Sequence, residues 1–212
     1  MKASVDVFSD TTAACAALAK KDRFLARAID AIGEPYIRRR PGGFEALFRI
    51  IIEQQVSVPS AQAIWARCVE NVAPLTPQNM ISLGANELRA CGLSGPKIRY
   101  VLALANAVEK GAIDFDIVAG MSDADAAAKL ISVKGIGPWS AAIYLLFCEG
   151  RVDIWPPGDV ALLGAYNAAR LRGAAANMAD LDQKSDKWSP YRGVAAHILW
   201  TYYAHIRGRK PL

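Results

Sequence analysis

Ser122–Cys148 reads SDADAAAKLISVKGIGPWSAAIYLLFC. Ser122 and Asp125 form a capping-box pattern, with Asp in place of the usual Glu, and start a helix that runs to about Ile131. The segment VKGIG follows. Pro138, whose fixed φ suits the first helical position, opens a second helix with apolar Ala141, Ala142, Leu145 and Leu146. The stretch therefore predicts two helices joined by a tight hairpin.

Gly135 and Gly137 flank a single aliphatic residue, so this backbone can approach another molecule closely. The turn feeds a helix N-terminus, where unpaired N–H groups and the helix dipole favour an anion. Ile136 is expected to point inward and pin the hairpin. Together these features make a clamp for a phosphate backbone, which positions a nucleic acid without reading its sequence. A bare Gly-x-Gly between helices is more often an ordinary turn with no ligand. The full pattern LxxVKGIGPWSA favours the clamp.

Outward from the hairpin, helical periodicity dominates. Phe44, Leu47, Phe48, Ile51 and Ile52 share one face, as do Ile98, Val101, Leu102, Ala105 and Val108. Val194, Ala195, Ile198, Leu199, Tyr202 and Ile206 repeat the pattern. Thr76-Pro77 and Ser189-Pro190 each read as an N-cap followed by Pro at the first helical position. Ser94 precedes a helix closed by Gly111. No turn joins two alternating β-rich runs, so little sheet is expected. Roughly ten helices with short connections fit an all-α chain.

The chain has 212 residues, 53% hydrophobic and 21% charged, which excludes a disordered chain. No apolar run is long enough to span a bilayer, so no membrane partner is expected. The opening MKASVDVFSDTTAACAALAKKD lacks a signal-peptide layout, and a cytoplasmic, nucleoid-associated location is the expectation. Lys and Arg exceed Asp and Glu by 25 to 20, a net +5, with a pI near 9.1, compatible with a polyanionic partner. Cys15, Cys68, Cys91 and Cys148 are dispersed and form no CxxC. They read as reduced thiols and cannot make the closely spaced set an iron–sulfur cluster needs. His197 and His205 lack the i,i+4 spacing of a helical zinc pair, so no side-chain metal site is expected.

Four segments together resemble one family. LISVKGIGPWSAAIYLLF resembles the helix–hairpin–helix of DNA base-excision glycosylases, and DIWPPGDVAL the segment that carries their catalytic Asp. FRIIIEQQVSVPSAQAIW resembles the helix and turn holding their gap-filling residues. KWSPYRGVAAHILWTYY resembles the C-terminal helix of the branch that excises alkylated bases, the 3-methyladenine glycosylases of the second type, in compact form. The resemblance runs from about residue 22 onward. It implies two all-helical lobes with a cleft for double-stranded DNA between them. One lobe would comprise residues 1–42 and 152–212, and the other 43–151, with the helix–hairpin–helix at about 123–149. It implies a monomer with no resident cofactor. A monovalent cation held by hairpin carbonyls stays open.

By the same resemblance, Asp159 is the catalytic carboxylate. Breaking an N-glycosidic bond builds positive charge on the sugar, and a fixed carboxylate stabilises that charge and orients or deprotonates water. Asp159 also stands where it would cap the helix VALLGAYNAARLR, and the two roles are compatible. Asp153 is the rival. Trp139 occupies the place where bifunctional members carry a nucleophilic Lys, which implies a monofunctional enzyme that uses water. Lys134, Gly135, Ile136 and Gly137 would contact the DNA backbone. Gln55 is the gap-filling candidate, with Gln54 and Val56 close behind, although a Gln-Gln pair is also an ordinary helix end.

Trp139, Tyr191, Tyr144 and Trp155 are base-pocket candidates, since electron-rich rings attract a cationic alkylated purine. Core packing is the equal alternative for each. Trp65, Trp188 and Trp200 read as structural, and His197 as a packing residue. The implied function is excision of 3-methyladenine or 7-methylguanine from DNA. A glycosylase for uracil or hypoxanthine, or a non-catalytic helix–hairpin–helix module, are the alternatives.

Overall fold

Side-chain caps start many of the helices. Ser57, Thr76, Asp114, Ser122 and Asn177 each accept a backbone N–H from the first turn they precede, contacts worth about 1 kcal/mol apiece. The computed structural model describes residue 8 and residues 10–170 and 174–211. Residues 1–7 and 9 of the opening segment lie outside the described residues, as do Leu171 and Arg172 at the end of VALLGAYNAARLR.

The helices are α1 (Thr12–Lys21), α2 (Arg23–Ile32), α3 (Phe44–Glu53), α4 (Val58–Asn71), α5 (Pro77–Leu83), α6 (Ala85–Ala90) and α7 (Gly95–Glu109). They continue as α8 (Phe115–Gly120), α9 (Asp123–Ile131), α10 (Pro138–Tyr144), α11 (Val160–Arg170), α12 (Met178–Ser185) and α13 (Arg192–His205). A π turn, Leu145–Glu149, extends α10, and a 3₁₀ turn, Asp186–Trp188, follows α12. Among the described residues there is no strand. The count exceeds the sequence expectation because helices such as α6 and α8, six residues each, are too short to show a 3.6-residue repeat. No helix of the described residues is long and apolar enough to cross a membrane.

The chain divides into two units, Met1–Arg39 with Gly150–Leu212, and Arg40–Glu149. The family resemblance implies these lines at 42/43 and 151/152. In the second unit α3 packs against α4, α7 and α10. Phe44, Ala46, Leu47, Phe48 and Ile50–52 are all buried, so α3 is apolar nearly all round rather than on the one face its spacing suggested. Along α7 the buried set is Lys97, Ile98, Val101, Leu104 and Ala105. Leu104 takes the place expected of Leu102, and a lysine joins the core face.

In the first unit α13 packs against α2 and α11. Val194, Ala195, Ile198, Leu199 and Tyr202 are buried as the periodicity predicts, whereas Ile206, just past the helix end, is exposed. At the heart of this unit lies a buried carboxylate. Asp22 caps α2 through Phe24 N–H (2.8 Å) and accepts from the Tyr166 hydroxyl and the Trp188 indole N–H (3.3 Å each). Lys184 Nζ adds an ion pair at 3.1 Å. A buried carboxylate persists only when its lone pairs are matched in this way.

One expected cap is corrected. α13 begins at Arg192, not after Ser189-Pro190, whose peptide is cis. The Ser189 hydroxyl is spent elsewhere, on Asp153 at 2.8 Å.

Candidate functional site

The hairpin between α9 and α10 uses its two glycines differently. Gly135 has φ +93°, and a Cβ there would lie 2.1 Å from Cγ of Tyr100. Only glycine fits both the backbone and the space. Ile136 is buried, with its N–H on the Val133 carbonyl at 3.0 Å, which fixes the turn. Gly137 is the extended N-cap of α10, and a Cβ on it would meet nothing within 4 Å. Lys134 is exposed beside the turn. The Gly135 carbonyl already accepts one hydrogen bond, from Gln54 Nε2 at 2.9 Å.

That bond corrects the expectation for Gln54. Its amide nitrogen also donates to Ser140 Oγ at 2.9 Å, so the side chain is committed to the hairpin and to α10 and does not project as a wedge. Gln55 and Val56 are exposed, and Gln55 takes a left-handed φ of +53°. Behind this turn, Lys97 Nζ donates to the Ile52 carbonyl at 2.6 Å. Burial pulls the Lys97 amine below the usual lysine range. Sequence reasoning missed Lys97, although its spacing from Val101, Leu104 and Ala105 (i, i+4, i+7, i+8) places it on the buried face of α7.

Asp159 stands at the N-terminus of α11. One carboxylate oxygen, Oδ1, accepts the backbone N–H groups of Ala161 (2.9 Å) and Leu162 (3.0 Å). The side chain is half-buried and held in one place by the cap. Gly158, with φ +78°, makes the turn that leads into it.

Asp153 has a different environment. It accepts from Ser189 Oγ, Arg192 N–H, Arg192 Nε and Arg192 Nη2, all between 2.8 and 3.1 Å. Burial pushes its carboxyl upward, but the Arg192 and Ser189 hydrogen bonds outweigh that and hold it below the usual carboxylate range. It ties the segment before α11 to the start of α13, a structural duty.

The aromatic candidates separate as well. Tyr144 is only 2% exposed. Its hydroxyl accepts the Gly43 N–H at 2.9 Å, its ring packs on Phe115 at 5.7 Å, and burial pushes its phenol up to about 12. It is a core residue, which corrects its assignment to a base pocket. Trp155 donates its indole N–H to Asp182 at 2.8 Å and meets Trp188 edge-to-face. Trp139, in the first turn of α10, and Tyr191, before α13, are half-buried. His197 is buried against Phe8 and Trp200. Among the described residues no group of His, Cys, Asp and Glu could hold a metal ion.

The family model for HhH-GPD superfamily base excision DNA repair proteins matches residues 48–190, a span containing the α3 turn, the hairpin and Asp159. The chain belongs to this superfamily. Among HhH-GPD proteins it is 30% identical over 162 residues to DNA-3-methyladenine glycosylase 1 of Schizosaccharomyces pombe, covering 74% of this chain and 71% of that one. A crystal structure of a DNA-3-methyladenine glycosidase from Bacillus halodurans superposes with a TM-score of 0.77 at 29% identity, over 93% of this chain and 92% of that one. The S. pombe glycosylase in complex with abasic DNA has a TM-score of 0.81 at 24% identity, over 90% and 96% of the two chains, and shows a shared fold. The HhH-GPD fold of these proteins is the all-helical architecture described above.

Proposed function

We propose that this chain is a monofunctional DNA glycosylase that excises alkylated bases of the 3-methyladenine and 7-methylguanine type. The observation that carries the reading is Asp159, a carboxylate fixed by two backbone N–H groups at a helix N-terminus, at the position the family pattern reserves for the catalytic acid residue. Likeness to a 3-methyladenine glycosylase at 30% identity supports the substrate class.

The chemistry needs few groups. The bond between C1′ and the base nitrogen breaks, and the electron pair leaves with the base. An alkylated purine is cationic in the nucleoside and departs neutral, so no proton need be delivered to it. Positive charge develops on the sugar, where the Asp159 carboxylate stabilises it. Water adds at C1′ and gives up its proton, with Asp159 as the acceptor. Trp139 has no amine with which to attack the sugar, so the reaction stops at an abasic site.

The hairpin supplies the grip on DNA. Neither its own φ of −92° nor any neighbour within 4 Å requires glycine at 137, which supports a role in letting an external backbone approach. Gln55 fills the gap left by the extruded nucleotide. Aromatic faces at Trp139 and Tyr191 favour a cationic base. The test is a release assay over duplexes carrying 3-methyladenine, 7-methylguanine, hypoxanthine and uracil. Faster release of the two cationic bases is expected. Equal rates on all four would reject cationic selection, and release of none would leave a non-catalytic DNA clamp.

A further inference from the structure

The turn that follows α3 is braced on two sides. Gln54 is extended, and Gln55 takes a left-handed φ of +53°, uncommon for a residue with a Cβ. Such a conformation persists where its surroundings over-determine it. On one side, Gln54 Nε2 binds the Gly135 carbonyl and Ser140 Oγ, each at 2.9 Å. These atoms belong to the first glycine of the hairpin and to the first turn of α10. On the other side, Lys97 Nζ binds the Ile52 carbonyl at 2.6 Å. That carbonyl lies in the last turn of α3, where backbone acceptors lack helical partners and a cation is favoured. Lys97 is 8% exposed, and so much burial of a lysine requires a compensating contact. Gln54, Gln55, Val56 and Lys97 line a shared concavity of about 200 Å³.

We propose that Gln54 is a positioning residue: its bonds to Gly135 and Ser140 lock the Gln55 turn to the hairpin, so that a duplex gripped at the hairpin meets a gap-filling side chain already in place. Lys97 is the second support of the same turn. The inference rests on the reading of the hairpin as a phosphate clamp and of Gln55 as the gap-filler. Gln54 does not touch DNA; it acts through Gln55, and it removes the ordering cost that a loose turn would incur on binding.

The test reads binding rather than base release. Dissociation constants are measured for an intact duplex and for the same duplex with a tetrahydrofuran abasic analogue. The proteins are wild type, Gln54→Ala, Gln55→Ala and the double variant. Wild type should prefer the abasic duplex. Gln54→Ala should lose that preference by about tenfold, the scale of a lost pair of hydrogen bonds, while its affinity for intact duplex stays within about twofold. The double variant should be no worse than either single one, because the two residues act as a unit. Gln54→Glu keeps the length of the side chain but has no N–H for the Gly135 carbonyl. It should behave like Gln54→Ala and guards against a folding defect in the smaller variant. Lys97→Met should lose part of the preference.

Full preference in Gln54→Ala, an equal loss on intact duplex, additive losses in the double variant, or no preference in wild type would each overturn the proposal. A wild type that shows this pattern yet releases no methylated base would leave the bracing intact and reject only the substrate reading.

Discussion

Tyr100 occupies the space that a side chain on Gly135 would need: a Cβ there would fall 2.1 Å from its Cγ. Gly137, two residues on, faces open space. The two glycines of one hairpin therefore differ: packing against Tyr100 requires the first, whereas no neighbour within 4 Å constrains the second.

Substitution should separate them. Gly135→Ala meets both a left-handed backbone and the Tyr100 ring, and should destabilise the protein by about 2–4 kcal/mol in urea unfolding. Gly137→Val meets neither and should cost about 1 kcal/mol or less, the price of a poorer N-cap. Its affinity for undamaged duplex should nevertheless fall about tenfold or more, read by fluorescence anisotropy at fixed salt. Unchanged binding by a folded Gly137→Val protein would remove the clamp assignment.

On the proposed reading, Trp139 sets the product. With tryptophan where a nucleophilic lysine would stand, incubation with methylated duplex should give intact strands bearing abasic sites, cleaved only on later treatment with alkali. Borohydride should trap no covalent protein–DNA adduct above background. A trapped adduct would show that another amine does the lyase chemistry.

His197 predicts a pH dependence of stability. Burial, with the nearby charges of Arg38 and Arg39, depresses its imidazole from 6.5 to about 3, against a smaller opposing hydrogen bond at Tyr36. The unfolded chain binds the proton and the folded chain does not. The contribution is thus complete above pH 6.5 and is lost as pH falls toward 3, by about 1.4 kcal/mol per pH unit. Between pH 6.5 and 5 most carboxylates stay ionised, so denaturation midpoints there should fall with pH in wild type. In His197→Gln they should stay nearly flat. An equal slope in both would show that His197 is not the group responsible.

The hairpin was the most legible part of the chain. The Ser122 cap, the two glycines and Pro138 are local signals, and α9 and α10 end and begin where they indicate. Less legible were residues whose role depends on a partner distant in sequence. Nothing around Gln54 announces that its amide reaches Gly135 and Ser140. Tyr144 looks like any aromatic near a hairpin until Gly43 is seen to claim its hydroxyl. Nothing local to Asp22 announces it as the cap of α2 or as the buried partner of Tyr166, Trp188 and Lys184. Ser189-Pro190 carries a strong local cap signal, yet Asp153 competes for that serine and the helix starts later.

Asp159 and Asp153 offer the sharpest comparison, since each caps or braces a helix and only one is assigned to the chemistry. Asp153→Asn should weaken the Arg192 bonds and cost about 1–3 kcal/mol of stability, while the folded protein retains base release. Asp159→Asn keeps most of the cap, because Asn and Asp cap about equally well, and should change stability little. The decisive measurement is the single-turnover rate of methylated-base release by folded Asp159→Asn at saturating enzyme, where only the chemical step is read. The account predicts a fall of at least about a hundredfold with DNA binding preserved, the scale of losing one preorganised electrostatic group. Near-wild-type release would show that Asp159 only caps α11, and would contradict the assignment.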